Sequence, residues 1–312
     1  MNSMLFDVTA WTGVWTALVT PLKAGKGHAL QLDRRSLERL VEAQIASGVR
    51  GLVIGGSTGE GSLLPTEVHQ DLLVSARKIA GDRIPLVAGL GIGGTKSALE
   101  TAERAKAAGY DGLLAAPPAY IKTPQPLLAK HFLEIGRVGL PVCLYDIPGR
   151  AAAPIDVGTF AELARSRAPE AKRLVAIKDA TGNLQKALEI VEACAPGRYA
   201  MLSGDDLTYL PYLAAGGIGV ISVASHVVPR ALVGITDAFF KGQMARALEL
   251  QSRYMPLFSA LFWESNPIPV KHLLVARKQV ANAAWAAPLG PMTPARLKAL
   301  VALARSLPDV TE

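Results

Sequence analysis

The chain has 312 residues, of which 50% are hydrophobic and 19% charged, with a formal net charge of +7. This composition supports a large core in one barrel-sized domain with room for an extension, and it excludes a disordered chain. The basic residues are scattered and aromatics are few, which excludes a nucleic-acid face built as a clustered stripe. The mild positive balance suits anionic small molecules.

Short β-like runs alternate with helical patterns along the chain. The predicted strands are Trp15–Thr20, Gly51–Ile54, Leu86–Gly89, Gly112–Ala115, Val142–Tyr145, Val175–Lys178, Ala200–Ser203 and Gly219–Val223. Amphipathic stretches lie between them, such as Arg34–Ala46, Glu67–Ile79 and Lys96–Ala108. Asp33 and Thr66 are placed as N-caps. Gly48, Gly81 and Gly109 stand where a left-handed residue ends a helix. The apolar stretch Leu210–Val228 is broken by Gly216, Gly217 and Gly219, so it reads as a helix end and a strand rather than a membrane span. After about residue 241 the strands stop, and helices are predicted over Gly242–Glu264, Ile268–Arg277 and Pro294–Ser306.

Eight β-α units with uniformly apolar strands predict an α/β fold, a closed (β/α)8 TIM barrel over residues 1–240 with a C-terminal helical domain over 241–312. An open doubly wound sheet is the alternative. Cys143 and Cys194 sit in apolar surroundings and read as reduced, buried thiols of a cytoplasmic protein. The first residues show no basic n-region, so no secretory signal is expected.

In a parallel barrel, chemistry gathers where strands end. Those ends carry Gly55-Gly56-Ser57-Thr58-Gly59-Glu60, then Pro117-Pro118-Ala119-Tyr120, Tyr145-Asp146-Ile147-Pro148-Gly149-Arg150, Lys178-Asp179, Ser203-Gly204-Asp205-Asp206 and Ile221-Ser222. Lys178 closes an apolar run and is the only lysine expected on that rim. Two readings follow from the residues alone. It is a lysine with a buried stem and a hydrated head, or a desolvated amine whose lowered pKa suits it to attack a ketone and form a Schiff base. The second reading needs a proton shuttle, and Tyr145, Thr58, Ser57 and Tyr120 are of the right types.

Other motifs point elsewhere. GLGIGG, Gly89–Gly94, fits a dinucleotide fingerprint, but Asp111 precedes the next strand instead of ending it. GGSTGEG could hold a carboxylate on backbone N–H groups, since no P-loop lysine follows. Asp205-Asp206 reads as a helix-start cap before a metal pair, and the five histidines lack metal-ligand spacing. No metal and no separate cofactor are expected.

GGSTGE, YDIPGR, IKDATGN, SGDD, GVISVASH and NPIPVK, in this order, resemble the dihydrodipicolinate synthase and N-acetylneuraminate lyase superfamily of class I aldolases from Gly13 to about Ser306. The resemblance implies a (β/α)8 barrel with C-terminal helices, assembled as a homotetramer of tight dimers. It implies that Lys178 is the Schiff-base lysine for pyruvate and Tyr145 the general acid/base. Thr58 would link Tyr145 to Tyr120, a tyrosine that reaches a neighbouring subunit. The backbone N–H groups of Ser57 and Thr58 would hold the pyruvate carboxylate, and Gly204 and Ile221 would line the lysine pocket. Arg150 matches the arginine that the synthase branch uses for the carboxylate of L-aspartate 4-semialdehyde. The implied reaction is condensation of the two in lysine and diaminopimelate biosynthesis, with no membrane and no nucleic acid involved.

Departures from the synthase pattern keep open a related pyruvate aldolase, lyase or dehydratase acting on a sugar acid. Ser57 replaces a threonine, and Ala151 follows Arg150 where threonine is common. Pro65, Val68, Gly93, Ser97 and Ala119 stand where lysine-inhibited members carry polar and charged groups, which implies weak or absent inhibition by lysine.

Overall fold

The structure is a computed structural model that describes residues 4–24 and 29–310. The outer ends of both predicted domain ranges therefore lie outside the described residues.

The strands are β1 (Gly13–Ala17), β2 (Leu22–Ala24), β3 (Leu30–Leu32), β4 (Gly51–Ile54), β5 (Leu86–Gly89), β6 (Gly112–Ala115), β7 (Val142–Asp146), β8 (Leu174–Asp179), β9 (Ala200–Ser203) and β10 (Gly219–Ser222). The helices are α1 (Arg34–Ala46), α2 (Thr66–Ala80), α3 (Thr95–Ala107), α4 (Gln125–Gly136), α5 (Pro148–Ala151), α6 (Val157–Arg165), α7 (Leu184–Cys194), α8 (Tyr209–Ala214), α9 (Pro229–Phe240), α10 (Met244–Ala260), α11 (Ile268–Ala276) and α12 (Pro294–Ser306).

A closed barrel forms in the order β1-β10-β9-β8-β7-β6-β5-β4, as the alternation of elements predicts, and the open-sheet alternative is excluded. Every residue of β4, β5, β6, β7, β8, β9 and β10 is buried. Strands covered on both faces need apolar side chains on both, which is why they read as continuous runs. The antiparallel pair β2–β3, outside the barrel, has no counterpart among the predicted elements.

Helix starts follow local chemistry. Asp33 accepts the Ser36 N–H at 3.2 Å, a side-chain cap on α1. Thr66 is not a cap. It is the first residue of α2, and Pro65, with φ −54°, takes the cap position without a side-chain bond. Gly48 and Gly109 adopt φ of +78° and +83° just past their helices, and Gly81 adopts +54°.

Two predicted elements differ from the structure by more than one residue at an end. The predicted strand Trp15–Thr20 ends at Ala17. Leu18, Val19 and Thr20 are buried, but the Val19 N–H goes to His226 Nε2 at 3.1 Å and the Thr20 hydroxyl to Gly59 O at 2.5 Å. The Leu18 N–H still donates to Val53 O of β4 at 2.9 Å, whereas Val19 and Thr20 form a buried connection outside the ladder. The predicted helix Gly242–Glu264 shrinks to α10, because Gly242, at φ +73°, turns the chain after α9.

The chain divides into two compact units. The first holds Met1–Gly13 and Leu86–Ile221, with Phe132, Leu144, Phe160 and Ile177 in its core. The second holds Val14–Pro85 and Ser222–Glu312, with Trp15, Leu37, Tyr254 and Phe258 in its core. No helix among the described residues is long and apolar enough to cross a membrane.

Candidate active site

In the first unit, β7 and β8 run parallel with Tyr145 opposite Lys178. Both side chains are almost fully buried, at 7% and 6% exposure. Lys178 Nζ lies 4.3 Å from the centroid of the Tyr145 ring. Lysines are rarely buried without a partner, because desolvation disfavours the ammonium. The described residues include one other buried lysine, Lys271, and that one is paired with Glu60. Among the described residues no carboxylate forms an ion pair with Lys178, whose contact is the tyrosine face.

Cys143 shares the Tyr145 face of β7, two residues earlier. Its thiol is pushed up to about 12 by burial, against the opposing influence of Lys178. It is therefore a neutral packing group near neutral pH, and both cysteines are free and buried as expected. Past Lys178 the backbone closes on itself. The Gly204 N–H donates to Asp179 O at 2.6 Å, and a Cβ at Gly204 would meet the Ala180 Cβ at 2.6 Å. Only glycine fits that approach. Ile221, in β10, is buried.

The outward side of the same strand ends carries a second buried group. Asp146 Oδ1 accepts the Ile155 N–H at 3.1 Å, and Oδ2 pairs with Lys186. Burial raises the Asp146 pKa, and Lys186 opposes that rise. Lys186 thus reaches the end of β7, so Lys178 is not alone there as the sequence leads one to expect. It lies on the opposite face from Tyr145, since neighbouring residues of a strand point apart. The Asp146 bonds bracket the segment holding α5, on which Arg150 is exposed and Ala151 fully buried.

Tyr120 is 97% exposed and sits in a left-handed backbone conformation, φ +68°. Among the described residues no hydrogen bond or ring contact joins it to Lys178 or Tyr145. The structure thus brings together Lys178 and Tyr145, with the Gly204 backbone bonded to Asp179 beside Lys178, while among the described residues no such contact includes Tyr120.

In the second unit the GGSTGEG segment forms a tight turn. Glu60 N–H donates to Ser57 O and Gly61 N–H to Gly56 O, each at 3.1 Å. A Cβ at Gly61 would fall 1.8 Å from Gly55 O, so the turn requires glycine there. Among the described residues no internal acceptor takes the backbone N–H of Ser57 or Thr58. Paired N–H groups of that kind suit an anion. Thr58 is buried, and its Oγ1 accepts Asn266 Nδ2–H at 2.9 Å. Glu60 pairs with Lys271 and accepts the Ala286 N–H at 2.7 Å. Burial lowers the Lys271 pKa, and Glu60 opposes that. Sequence reasoning missed Asn266, Lys271 and Glu60. The signal was there, in NPIPVK and in the acid of GGSTGE, but nothing in a linear reading joins the two.

The remaining motifs have structural uses. Asp111 accepts the Leu86 N–H at 2.8 Å, which ties down the start of β5 rather than a ribose. Asp205 accepts the Leu207 N–H at 3.0 Å, as a turn-capping carboxylate does. No group of three or more His, Cys, Asp or Glu residues fit to hold a metal occurs among the described residues.

The chain is similar to known proteins along most of its length. A 4-hydroxy-tetrahydrodipicolinate synthase of Oleidesulfovibrio alaskensis is 41% identical over 291 residues, covering 93% of this chain and 96% of that protein. One of Bdellovibrio bacteriovorus is 40% identical over 263 residues, covering 84% and 86%. Among solved structures, dihydrodipicolinate synthase from Aquifex aeolicus superposes with a TM-score of 0.89 at 33% identity, covering 96% of this chain and all of that one (100%). The model of the dihydrodipicolinate synthetase family matches residues 10–307, and the chain belongs to that family.

Proposed function

We propose that this chain condenses pyruvate with L-aspartate 4-semialdehyde to 4-hydroxy-tetrahydrodipicolinate, through a Schiff base on Lys178. The observation that carries the reading is the buried amine of Lys178, 4.3 Å from the Tyr145 ring centroid and without a carboxylate partner among the described residues. Names and identities of the relatives support the substrates.

The chemistry follows from the groups. The Lys178 amine adds to the pyruvate ketone, and water leaves to give the imine. The protonated imine draws electrons from the neighbouring carbon, which loses a proton and becomes a nucleophilic enamine. The enamine carbon attacks the aldehyde of the second substrate. The substrate's own amine then displaces Lys178 and closes the ring, returning the free enzyme. Tyr145 donates and accepts the protons of these steps, with Thr58 in the relay. The Ser57 and Thr58 N–H groups hold the pyruvate carboxylate, Gly204 and Ile221 line the lysine, and Arg150 takes the carboxylate of the semialdehyde. No metal or separate cofactor enters this scheme.

The chain acts in the cytoplasm as a homotetramer of tight dimers, with Tyr120 serving a neighbour's site. The full exposure of Tyr120 and the half-exposed Ile121 beside it, at 59%, support a surface that a second copy covers.

Borohydride reduction in the presence of pyruvate, followed by intact mass and peptide mapping, tests the reading together with turnover on the semialdehyde. A pyruvate adduct on Lys178 with rapid turnover is expected. An adduct without turnover keeps the aldolase chemistry and transfers the second substrate to the sugar acids that Ser57 leaves open. A chain with no adduct overturns the proposal.

A further inference from the structure

The chain leaves β7 after Asp146, forms α5 and comes back at Ile155. The two ends of this excursion are tied to each other. Asp146 Oδ1 accepts the Ile155 N–H at 3.1 Å, and both residues are fully buried. Oδ2 pairs with Lys186 of α7. Inside the excursion the Arg150 and Ala151 N–H groups both donate to Ile147 O at 3.0 Å, which makes the single turn of α5. Ala152 then adopts a left-handed conformation, φ +57°. A residue with a side chain keeps that conformation where its surroundings impose it. Gln125 of α4 holds the outer edge of the return, donating to Pro154 O at 2.9 Å and accepting the Asp156 N–H at 3.1 Å.

One turn of helix does not hold its own place, so α5 is placed by what ties its ends. Asp146 is the buried tie, and its carboxylate serves two elements because both oxygens accept. A displaced return would displace the backbone of Arg150 and redirect its side chain. The tie lies on the opposite face of β7 from Tyr145, so it reaches Arg150 without touching the Lys178–Tyr145 contact. We propose that Asp146 is a positioning residue that sets the reach of Arg150, and with it the recognition of the second substrate's carboxylate. The inference rests on the reading of Arg150 as the receptor of that carboxylate.

The test uses the full-length chain with Lys186→Met in each variant, so that no lone buried charge is left when Asp146 changes. Asp146→Asn/Lys186→Met keeps an acceptor for the Ile155 N–H, and Asp146→Leu/Lys186→Met removes it. Both are made with and without Arg150→Ala. Readouts are kcat, KM for each substrate and the borohydride-trapped adduct with pyruvate. The leucine variant is expected to raise KM for the semialdehyde about tenfold, the scale of one buried donor left unpaired. Its KM for pyruvate and its Lys178 adduct should stay near those of the wild type. The asparagine variant should stay within about twofold of the wild type for both substrates, since the tie remains. In the Arg150→Ala background the leucine should cost nothing further, because its target is gone. The inference is overturned by an unchanged KM for the semialdehyde in the leucine variant, or by KM values that rise alike for both substrates. Equal losses in the asparagine and leucine variants, or losses that multiply with Arg150→Ala, also overturn it. Should the leucine variant not fold, Asp146→Ser/Lys186→Met, whose shorter side chain withdraws the acceptor, takes its place under the same expectations. A single Arg150→Ala variant with an unchanged KM for the semialdehyde sinks the reading of Arg150, and the inference with it, and is told apart by that variant alone.

Discussion

Lys178 Nζ lies over the ring of Tyr145 from the neighbouring strand, 4.3 Å from its centroid, at a point where the two residues are register partners. The arrangement separates two functions of one tyrosine. The ring face meets the amine, and under the proposed function the hydroxyl serves proton transfer. Tyr145→Phe keeps the face and removes the hydroxyl. It should fold, form the pyruvate adduct and lose kcat by roughly 10²–10⁴-fold. Lys178→Ala should give no adduct and almost no turnover. A Tyr145→Phe enzyme at full rate would remove the tyrosine from the proton steps.

Arg150 sits on α5, an exposed turn of helix held between Asp146 and Ile155. A charge-assisted bidentate bond to a carboxylate contributes about 1.5–3 kcal/mol. Arg150→Ala should therefore raise KM for the semialdehyde about 10–100-fold and leave KM for pyruvate unchanged. Equal effects on both substrates, in steady-state kinetics, would count against its role.

Glu60 and Lys271 form a fully buried ion pair. Breaking one side strands the other charge in the core. Lys271→Met should destabilise the fold by about 3–5 kcal/mol. Glu60→Gln/Lys271→Met should recover part of that loss, since no net charge remains buried. Chemical denaturation of the three proteins checks the order.

His226 is fully buried, with Nε2 accepting the Val19 N–H and Nδ1 bonded to Val223 O. Burial lowers its pKa from 6.5 to about 4. The unfolded chain thus binds a proton that the folded chain refuses. Stability is full above about pH 6.5 and falls as pH drops toward 4, by on the order of 3 kcal/mol from this group. His226→Gln should flatten that part of the stability curve. An unchanged slope between pH 6.5 and 4 would mean that other groups set it.

Val68 packs with Leu22 and Ala286 in an apolar cluster, and Gly93 and Ser97 offer no charge. An amino-acid effector needs charged and polar partners. Free lysine at sub-millimolar concentration should leave the rate unchanged, and marked inhibition in the steady-state assay would contradict this.

The barrel was legible because its strands are short, apolar on both faces and punctuated by glycines. Where the same signal had another cause, as in Val19 and Thr20, the boundary slipped. Apolarity reports burial, and burial does not require a ladder. Lys178 was legible for the converse reason, as a charge at the end of an apolar run. Asn266 and Lys271 were not. Their partners Thr58 and Glu60 lie 208 and 211 residues away, and no local pattern encodes a contact at that separation. Lys186 is similar on a smaller scale, an ordinary helix lysine until α7 brings it to Asp146.

The clamp on Glu60 also sets an order in time. The turn at Gly55–Gly61 is made early in synthesis, but Lys271 and the Ala286 N–H that secure its carboxylate are made near the end. A nascent chain that has finished every barrel strand still carries Glu60 without its cation, although the turn's own backbone bonds and the Thr20 hydroxyl on Gly59 O are already available. The Glu60 carboxylate gains its two partners only as the last helices leave the ribosome. A polypeptide stopped short of residue 286 would own all its strands and Lys178, and still leave the Glu60 carboxylate without the Ala286 N–H.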